Sequence, residues 1–507
     1  MTTLSYGPIA IYFVAITIAY YFVLGIYNVC FHPLRHYPGP FLWRFSPVPK
    51  NIALLRGRYA AKAREIHETY SGTVRVAPNE LSYIQPQAWK DILGRPLKSE
   101  MAKDLRFFGG ENFGRDSLVT TRPEDHTRQR RIFTPAFSNT ALKAQEPLLA
   151  GYADQMVEAM GSLGERQRDH DGGARVNIVD LYNFATFDIM ADLTFGEPLL
   201  LLKRGDYTPW VRNVFAGLKF VIYGLVFLAI PVLGPLVQAV TAAPLKKKAQ
   251  EHTDFAGQLV DRRLEGKGHS KPDIWSFVLK HDDNEETRRG GLSIKEMHAN
   301  AAMFMVAGTE TSGTVLSGTT YYLLRNPRVY EILTSEIRSA FVRTEDICVD
   351  GLVRLEYLTA VLMEGLRLYN PGGAGMPRIV PRGGANVCGE YLPEGTLVSV
   401  NPYSAFTNPD NWARPTEFVP ERWIDADAPE WKDDERDVYE PFSYGPRNCL
   451  GKNLAWLELR LLLAKILWHY DLELCPGMES WVVQRNYITW EKGPLMVKLR
   501  PVPRDRG

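Results

Sequence analysis

The residues best placed to do chemistry lie in the stretch Phe442 to Gly451, Phe-Ser-Tyr-Gly-Pro-Arg-Asn-Cys-Leu-Gly, which sets one cysteine, Cys449, at the mouth of an apolar helix. Gly445 and Pro446 predict a tight turn, Arg447 brings a fixed positive charge, and the amides that open the following helix point back at the sulfur. Each of these favours thiolate over thiol. An activated thiolate can serve as a nucleophile, a redox switch or a metal ligand; a buried, inert cysteine is the plain alternative.

A second stretch is chemically odd for where it sits. Ser293-Ile294-Lys295-Glu296 is a capping box, and the pattern after it predicts one helix as far as Asn326, stopped by Pro327. The middle of that helix reads Ala307-Gly308-Thr309-Glu310-Thr311-Ser312-Gly313. Glycine in a helix interior costs roughly 1 kcal/mol relative to alanine, and hydroxyls there compete for backbone carbonyls. Either a ligand approaches the backbone at this point, or the glycines serve helix packing.

Other charged residues stand at suggestive spacings. His126 and Arg130 are four apart on a cationic helix that runs into Ile132-Phe133-Thr134-Pro135, which reads as a binding face or as a solvated helix end. Glu364 and Arg367 are three apart on a helix predicted over Tyr357 to Tyr369, a spacing that usually means a minor ion pair.

The elements that must position these residues can be taken in order. No Asp, Glu, Lys or Arg occurs before Arg35, and Ile9 to Ile26 is almost wholly apolar, which predicts an uncleaved membrane anchor over residues 1–31. The first cations follow it, which leaves the C-terminal bulk on the cytoplasmic side. A proline-rich linker over 32–50 comes next, its prolines denying His32 to Pro40 a helix. Thr73 to Ile84 predicts a β-hairpin, and Ala385 to Cys388 is predicted to pair with Thr396 to Val400 as another. Phe215 to Val240 is a second apolar stretch broken by Lys219, Pro231, Gly234 and Pro235, suited to a lipid surface or to core. The segment Glu165 to Gly173 reads as surface loop, Lys246 to Gly291 as charged surface, and Trp490 to Leu499 as a closing strand.

Composition sets the outer limits. The 507 residues are 45% hydrophobic and 23% charged with a net charge of +1, an ordinary globular balance that argues for no nucleic-acid partner. The five cysteines are scattered without a C-x-x-C pair, which argues against a disulfide scaffold and a structural zinc site.

Together these segments resemble the cytochrome P-450 family of haem-thiolate monooxygenases. The signature Phe-x-x-Gly-x-Arg-x-Cys-x-Gly falls on Phe442, Gly445, Arg447, Cys449 and Gly451. Five fixed positions recur by chance in roughly one chain of this length in ten thousand. The weaker motifs Ala-Gly-x-Glu-Thr, at Ala307 to Thr311, and Glu364-x-x-Arg367 stand in the family's order.

The resemblance implies a mainly α fold with small β-sheets, one N-terminal transmembrane helix, and a single haem-containing catalytic domain over 51–507. It implies haem b, with Cys449 as axial iron ligand, Phe442 and Gly451 framing the loop, and Arg447, Arg378, Arg130 and His126 contacting the propionates. His126 departs from the tryptophan usual at that position. Gly308, Glu310 and Thr311 match the oxygen-activation site, with Thr311 bonding the oxygen and Glu310 relaying protons; Glu364, Arg367 and Arg422 match a buried structural ion triad. The implied reaction is reductive activation of dioxygen, hydrogen abstraction from an apolar C–H and return of a hydroxyl.

No dinucleotide fingerprint or flavin segment is recognisable in the chain, so electrons from NADPH come through a separate membrane-bound NADPH–cytochrome reductase, with cytochrome b5 an optional second donor. Arg128, Arg131 and Lys452 are its docking contacts or a solvated basic face. Family position puts a hydrophobic small-molecule substrate among Phe107 to Phe113, Phe215 to Leu228, Met303, Ala307, Gly372 to Met376 and Ile488-Thr489, where core packing is the alternative. The motif forms look most like fungal microsomal members that oxidise terpenoids or polyketides in secondary metabolism at the endoplasmic reticulum membrane. A reductase-independent haem-thiolate isomerase or dehydratase, or a non-catalytic haem sensor, are the other readings.

Overall fold

The computed structural model describes residues 6–95, 99–107, 116–166, 174–228, 233–266, 272–279 and 291–503. Its spine is the helix Ile294–Arg325, 32 residues and so about 48 Å long. The capping box forms as its sequence dictates: Ser293 Oγ accepts from the Glu296 amide at 3.3 Å, and Glu296 Oε2 accepts from the Ser293 amide at 2.8 Å. Along this central helix lies Ile178–Phe195, in which every residue except Asp180 is buried. A helix enclosed on all sides is a core helix, and its polar groups need partners inside. Tyr182 and Thr320 supply one such bond between the two helices at 2.7 Å.

The helix that follows the cysteine loop, Lys452–His469, packs against Asn139–Arg166 and the central helix. Leu454, Leu457, Leu461 and Leu462 are all buried, as a helical stripe at that spacing requires. Two ionisable side chains are buried with them. Lys465 donates to Asp154 at 2.6 Å, and Glu458 accepts from Ser312 of the central helix at 2.8 Å, with burial pushing its carboxyl up to about 8.

The strands are β1 Val74–Ala77, β2 Glu80–Tyr83, β3 Ala102–Lys103, β4 Ala174–Asn177, β5 Arg378–Ile379, β6 Ala385–Val387, β7 Glu390–Leu392, β8 Leu397–Val400, β9 Tyr470–Leu474 and β10 Met496–Pro501. They form a five-stranded sheet in the order β1-β2-β8-β5-β3, a three-stranded sheet β4-β10-β9 and the pair β6-β7. The first hairpin, β1 with β2, is where the sequence put it. The second is not: β6 pairs with β7, and β8 instead lies parallel to β2. Cys388 and Gly389 take φ of 50° and 84°, which closes a two-residue turn well before Tyr391 to Gly395, the stretch the sequence offered as the turn between Ala385–Cys388 and Thr396–Val400.

The N-terminal region also departs from expectation. His32 to Pro40 is non-helical, but Phe41–Phe45 and Val48–Leu55 are short helices, started behind Pro40 and Pro47. Leu34 and Tyr37, in the stretch expected as a linker, are buried in a core cluster with Leu81, Val398 and Phe406. The first helix is Tyr6–Cys30; among the described residues no single helix is long and apolar enough to cross a membrane, and the apolar helical run is Ala15–Cys30. The broken apolar stretch becomes the helices Pro209–Leu228 and Leu233–Glu265.

Candidate active site

The cysteine loop is held from both ends. Gly445 has φ of 77°, and any side chain there would collide with the Leu93 carbonyl oxygen, so both backbone angle and space demand glycine. The Cys449 amide then donates to the Phe442 carbonyl at 2.9 Å, which closes the loop before the helix at Lys452 begins. Arg130 grips the same loop: its guanidinium donates to the Asn448 carbonyl at 2.5 Å and to Asn448 Oδ1 at 2.6 Å. Arg130, which the resemblance put at a propionate, holds the residue before Cys449 in this structure.

The Cys449 side chain is exposed to a water-sized probe although protein packs densely around it, which marks an internal cleft and not the outer surface. That burial pushes its thiol up, against the Gly451 amide and the charges of Arg130 and Lys452, which pull it down. The sequence expectation of a favoured thiolate is therefore reversed for the protein atoms alone, because desolvation outweighs the turn amides. A bound metal cation overrides this balance and deprotonates a coordinating thiol outright. Among the described residues no three His, Cys, Asp or Glu side chains converge to hold an ion, so a metal on Cys449 has to bring its other ligands with it.

Beside the loop lies a knot of buried cations. Lys103 of β3 stands directly opposite Arg378 of β5 in the sheet register, a like-charge pairing that destabilises a sheet by itself. Arg378 donates to the Met101 carbonyl at 3.0 Å, and burial lowers its guanidinium to about 10. Arg447 forks onto Glu100 at 2.7 and 2.8 Å. Burial, with Arg447, Lys103, Arg130 and Arg378 acting in the same direction, lowers His126 to about 3 and keeps it neutral. Burial and the neighbouring arginines also hold Lys103 well below its ordinary value. Three nitrogens in this group are buried without a partner: Arg378 Nε, Arg447 Nη1 and His126 Nδ1. An orphaned guanidinium N–H is costly unless an anion meets it. Nothing in the sequence marks Lys103 or Glu100, because a two-residue strand carries no periodicity.

Across the central helix, one face opens inward. Ala307 is exposed and Met303, Gly308 and Thr311 half-exposed, while Phe304, Met305, Thr309, Glu310 and Ser312 are buried. The spacing i, i+4, i+5, i+8 makes a single stripe. Thr311 Oγ1 donates to the Ala307 carbonyl at 2.6 Å. A Cβ on Gly308 would meet Met190 Sδ at 2.6 Å, so this glycine lets the Ile178–Phe195 helix approach. The Ser312–Glu458 bond ties this segment to the cysteine helix.

Glu310 does not join that face. It pairs with Lys492 and accepts from Thr489 at 3.3 Å, near the C-terminal end of the chain. Successive helical residues point about 100° apart, so Glu310 stands behind the open stripe, on the side of Lys492 and Thr489, while Thr311 lies on it.

Glu364 gathers the expected triad: Arg367 donates at 2.9 and 2.8 Å and Arg422 at 3.3 Å, all three side chains fully buried. The Val419 amide and Trp423 indole also donate to Glu364, and Asp434, which the sequence did not suggest, pairs with Arg422. Burial raises the Glu364 carboxyl, but Arg367, Arg422 and the Val419 amide hold it below its ordinary value. Of the expected pocket segments, Phe107, Ile222, Val226 and Ala374 meet in one apolar cluster with Ile488 packed against it, and Tyr487, which was not expected, joins them; residues 108–113 lie outside the described residues.

A model of the cytochrome P450 family, written here P-450, matches residues 38–499. The chain belongs to the cytochrome P-450 family. It is 40% identical over 506 residues to the P-450 monooxygenase efuB of Hormonema carpetanum, covering 99% of both chains. It is 41% identical over 487 residues to the P-450 monooxygenase FUM2 of Gibberella moniliformis, covering 93% of this chain and 99% of that one. A trichothecene C-4 hydroxylase of Trichoderma arundinaceum is 38% identical over 482 residues, 94% of this chain and 93% of its own. As a P-450 monooxygenase, the protein uses thiolate-ligated haem iron and electrons delivered from NADPH by a reductase, and acts on a hydrophobic substrate. The residues in hand fit that group: one cysteine facing a cleft, and beside it buried, unpartnered cationic donors suited to two propionate carboxylates.

Proposed function

We propose that this P-450 hydroxylates an apolar terpenoid or polyketide of fungal secondary metabolism, at the endoplasmic reticulum membrane, with Cys449 as the iron ligand. The observation that carries the site assignment is the pairing of an inward-facing Cys449 with the orphaned donors of Arg378, Arg447 and His126. When bound, the haem supplies oxygen activation and C–H oxidation. Arg378 and Arg447, whose Nε and Nη1 are buried without a partner, would hold its propionates, with His126 beside them. Arg130 keeps Asn448, and so Cys449, in place. Thr311, whose hydroxyl donates to the Ala307 carbonyl, would offer that hydroxyl on the open stripe to pass a proton taken up from water in the cleft. Glu364, Arg367 and Arg422 hold the scaffold without touching substrate.

The apolar cluster of Phe107, Ile222, Val226, Ala374 and Tyr487 bounds the substrate pocket and excludes water from it. The apolar side chains of the first helix, Ile16, Ile18, Phe22 and Val23 among them, are exposed to a membrane that anchors the domain. Arg131 and Lys452, both exposed, are the reductase contacts; Arg128 is engaged with Glu296 and is not one of them. The similarity to a trichothecene C-4 hydroxylase supports the substrate class. The test is reconstitution with a fungal NADPH–cytochrome reductase and screening of extracts for type I spectral shifts and new oxygenated products. Oxygen and NADPH consumed together with an oxygenated product supports the proposal; product formed without reductase or NADPH overturns it.

A further inference from the structure

Among the described residues of the first helix, Tyr6–Cys30, only Gly25 and Asn28 are buried. They are three apart and share one stripe, and both meet the short helix Phe41–Phe45. A Cβ on Gly25 would come within 2.1 Å of the Phe45 ring, so a side chain there would push the ring aside. The Asn28 side-chain amide donates to the Phe45 carbonyl at 3.0 Å, and the Phe22 ring stands 6.0 Å from that of Phe45.

The end of the first helix is capped by an arginine from the sheet. The last carbonyls of a helix lack partners within it. That of Tyr27 accepts from the amides of Phe31 and His32 at 2.8 and 2.9 Å, and that of Asn28 accepts from Arg75 Nη1 at 2.9 Å. Arg75, in β1, is fully buried, and its Nε and Nη2 donate to the Pro78 carbonyl at 2.9 and 2.5 Å. Among the described residues no carboxylate pairs with it, and burial with the nearby Arg44 lowers its guanidinium to about 10. A guanidinium buried on carbonyls alone draws on the negative end of the helix dipole, and taking the helix away strands the charge.

This contact also sets a depth. Phe45 packs at Gly25, five residues before the first helix ends, which puts the Phe41–Phe45 helix about 7 Å short of that end along the axis. Helices that lie in a membrane interface sit at a depth of roughly 5–10 Å. Phe41 and Leu42 are 57% and 63% exposed, and Val48 and Ile52 of the following helix are exposed too. Large apolar side chains left open next to an apolar helix mark an interaction surface.

We infer that Gly25, Asn28, Phe45 and Arg75 form a rigid joint that seats the first helix on the domain, so that the phospholipid bilayer holding that helix also covers Phe41, Leu42, Val48 and Ile52 and fixes the tilt of the domain. This rests on the membrane anchor proposed above. A loose tether would leave the tilt free; the joint makes helix and domain one body, with Arg75 as its positioning residue. With the tilt fixed, Arg131 and Lys452 stand at one height above the bilayer, which a reductase anchored in the same bilayer can match.

The test uses the full-length haem protein in oriented bilayers of phosphatidylcholine and phosphatidylserine. Linear dichroism of the haem band reads the tilt, and amide hydrogen exchange reads the joint over residues 25–45. The native protein is expected to show one ordered tilt and protected amides at 41–45. Gly25→Leu is expected to lose most of the dichroism and to speed exchange in that segment by about tenfold. Adding Phe45→Ala makes room for the new side chain and is expected to restore the ordered tilt, which a merely weakened fold would not do. Arg75→Met lowers the dichroism in the same direction; if it does not fold, Gly25→Leu and its rescue carry the test. Disordered haem in the native protein, or an ordered tilt that Gly25→Leu leaves unchanged, would overturn the joint. Protection at 41–45 that falls as the protein is diluted within the bilayer would assign this face to a second copy and overturn the bilayer as its partner. Alkaline extraction reads the anchor separately: a native chain released by carbonate refutes the anchor, whereas a retained chain with disordered haem refutes only the joint.

Discussion

The charges buried around Glu364 and those buried around Arg378 are drawn from the same residue types, and they are satisfied to very different degrees. At Glu364, two guanidiniums, an indole N–H and an amide meet one carboxylate, and Asp434 balances the second arginine. At Arg378, the cations Lys103 and Arg447 gather with it around one carboxylate, Glu100, and Arg378 Nε, Arg447 Nη1 and His126 Nδ1 are left over. A network closed on itself holds a fold together; one left short of acceptors is prepared for something that brings them. The contrast separates scaffold from binding site without reference to any ligand.

The largest expected effect breaks the closed side. Glu364→Gln leaves Arg367 and Arg422 without their shared carboxylate, a loss of about 3–5 kcal/mol that thermal unfolding and the yield of folded protein would register. On the open side, Arg378→Met removes a donor from the anion site but also relieves repulsion on Lys103. Haem transfer to apomyoglobin is expected to run about tenfold faster, while the haem-free protein unfolds at an unchanged or higher temperature. A haem-free protein as unstable as Glu364→Gln would erase the distinction between the two regions.

The third effect is pH dependence. His126 is lowered from 6.5 to about 3 in the folded protein, so between those values the unfolded chain binds a proton that the folded one refuses, and stability falls as pH drops through that window. His126→Gln should cut the loss in unfolding free energy between neutral pH and pH about 4.5, read by denaturant titration, by an amount on the order of 2 kcal/mol. His67, which burial also lowers to about 3, is present in both proteins and cancels in the comparison. The smallest structural effect with a clear chemical signature is Thr311→Ala: folding and haem content hold, while NADPH oxidation yields several-fold more peroxide per product.

Much of this was legible in the residues themselves. The capping box placed the central helix at its first residue, and the glycine-cysteine signature placed the loop, because both depend on neighbours in sequence. The β6–β7 turn was missed because it runs through Cys388 at positive φ, a conformation no side-chain rule assigns to cysteine. Lys103, Glu100, Asp434 and Lys492 were missed because each acts through a partner far away in the chain. The turn of Glu310 toward Lys492 was hidden for a different reason: spacing says which residues share a helix face, but packing decides which way that face turns.

The most direct measurement is the carbon-monoxide difference spectrum of the reduced protein with Cys449→Ala beside the native chain. With Cys449 as the iron ligand, the native protein shows the red-shifted band and the variant, even when it retains haem through Arg378, Arg447 and His126, shows none. A red-shifted band that survives Cys449→Ala would contradict the assignment of the thiolate and of the cleft built around it.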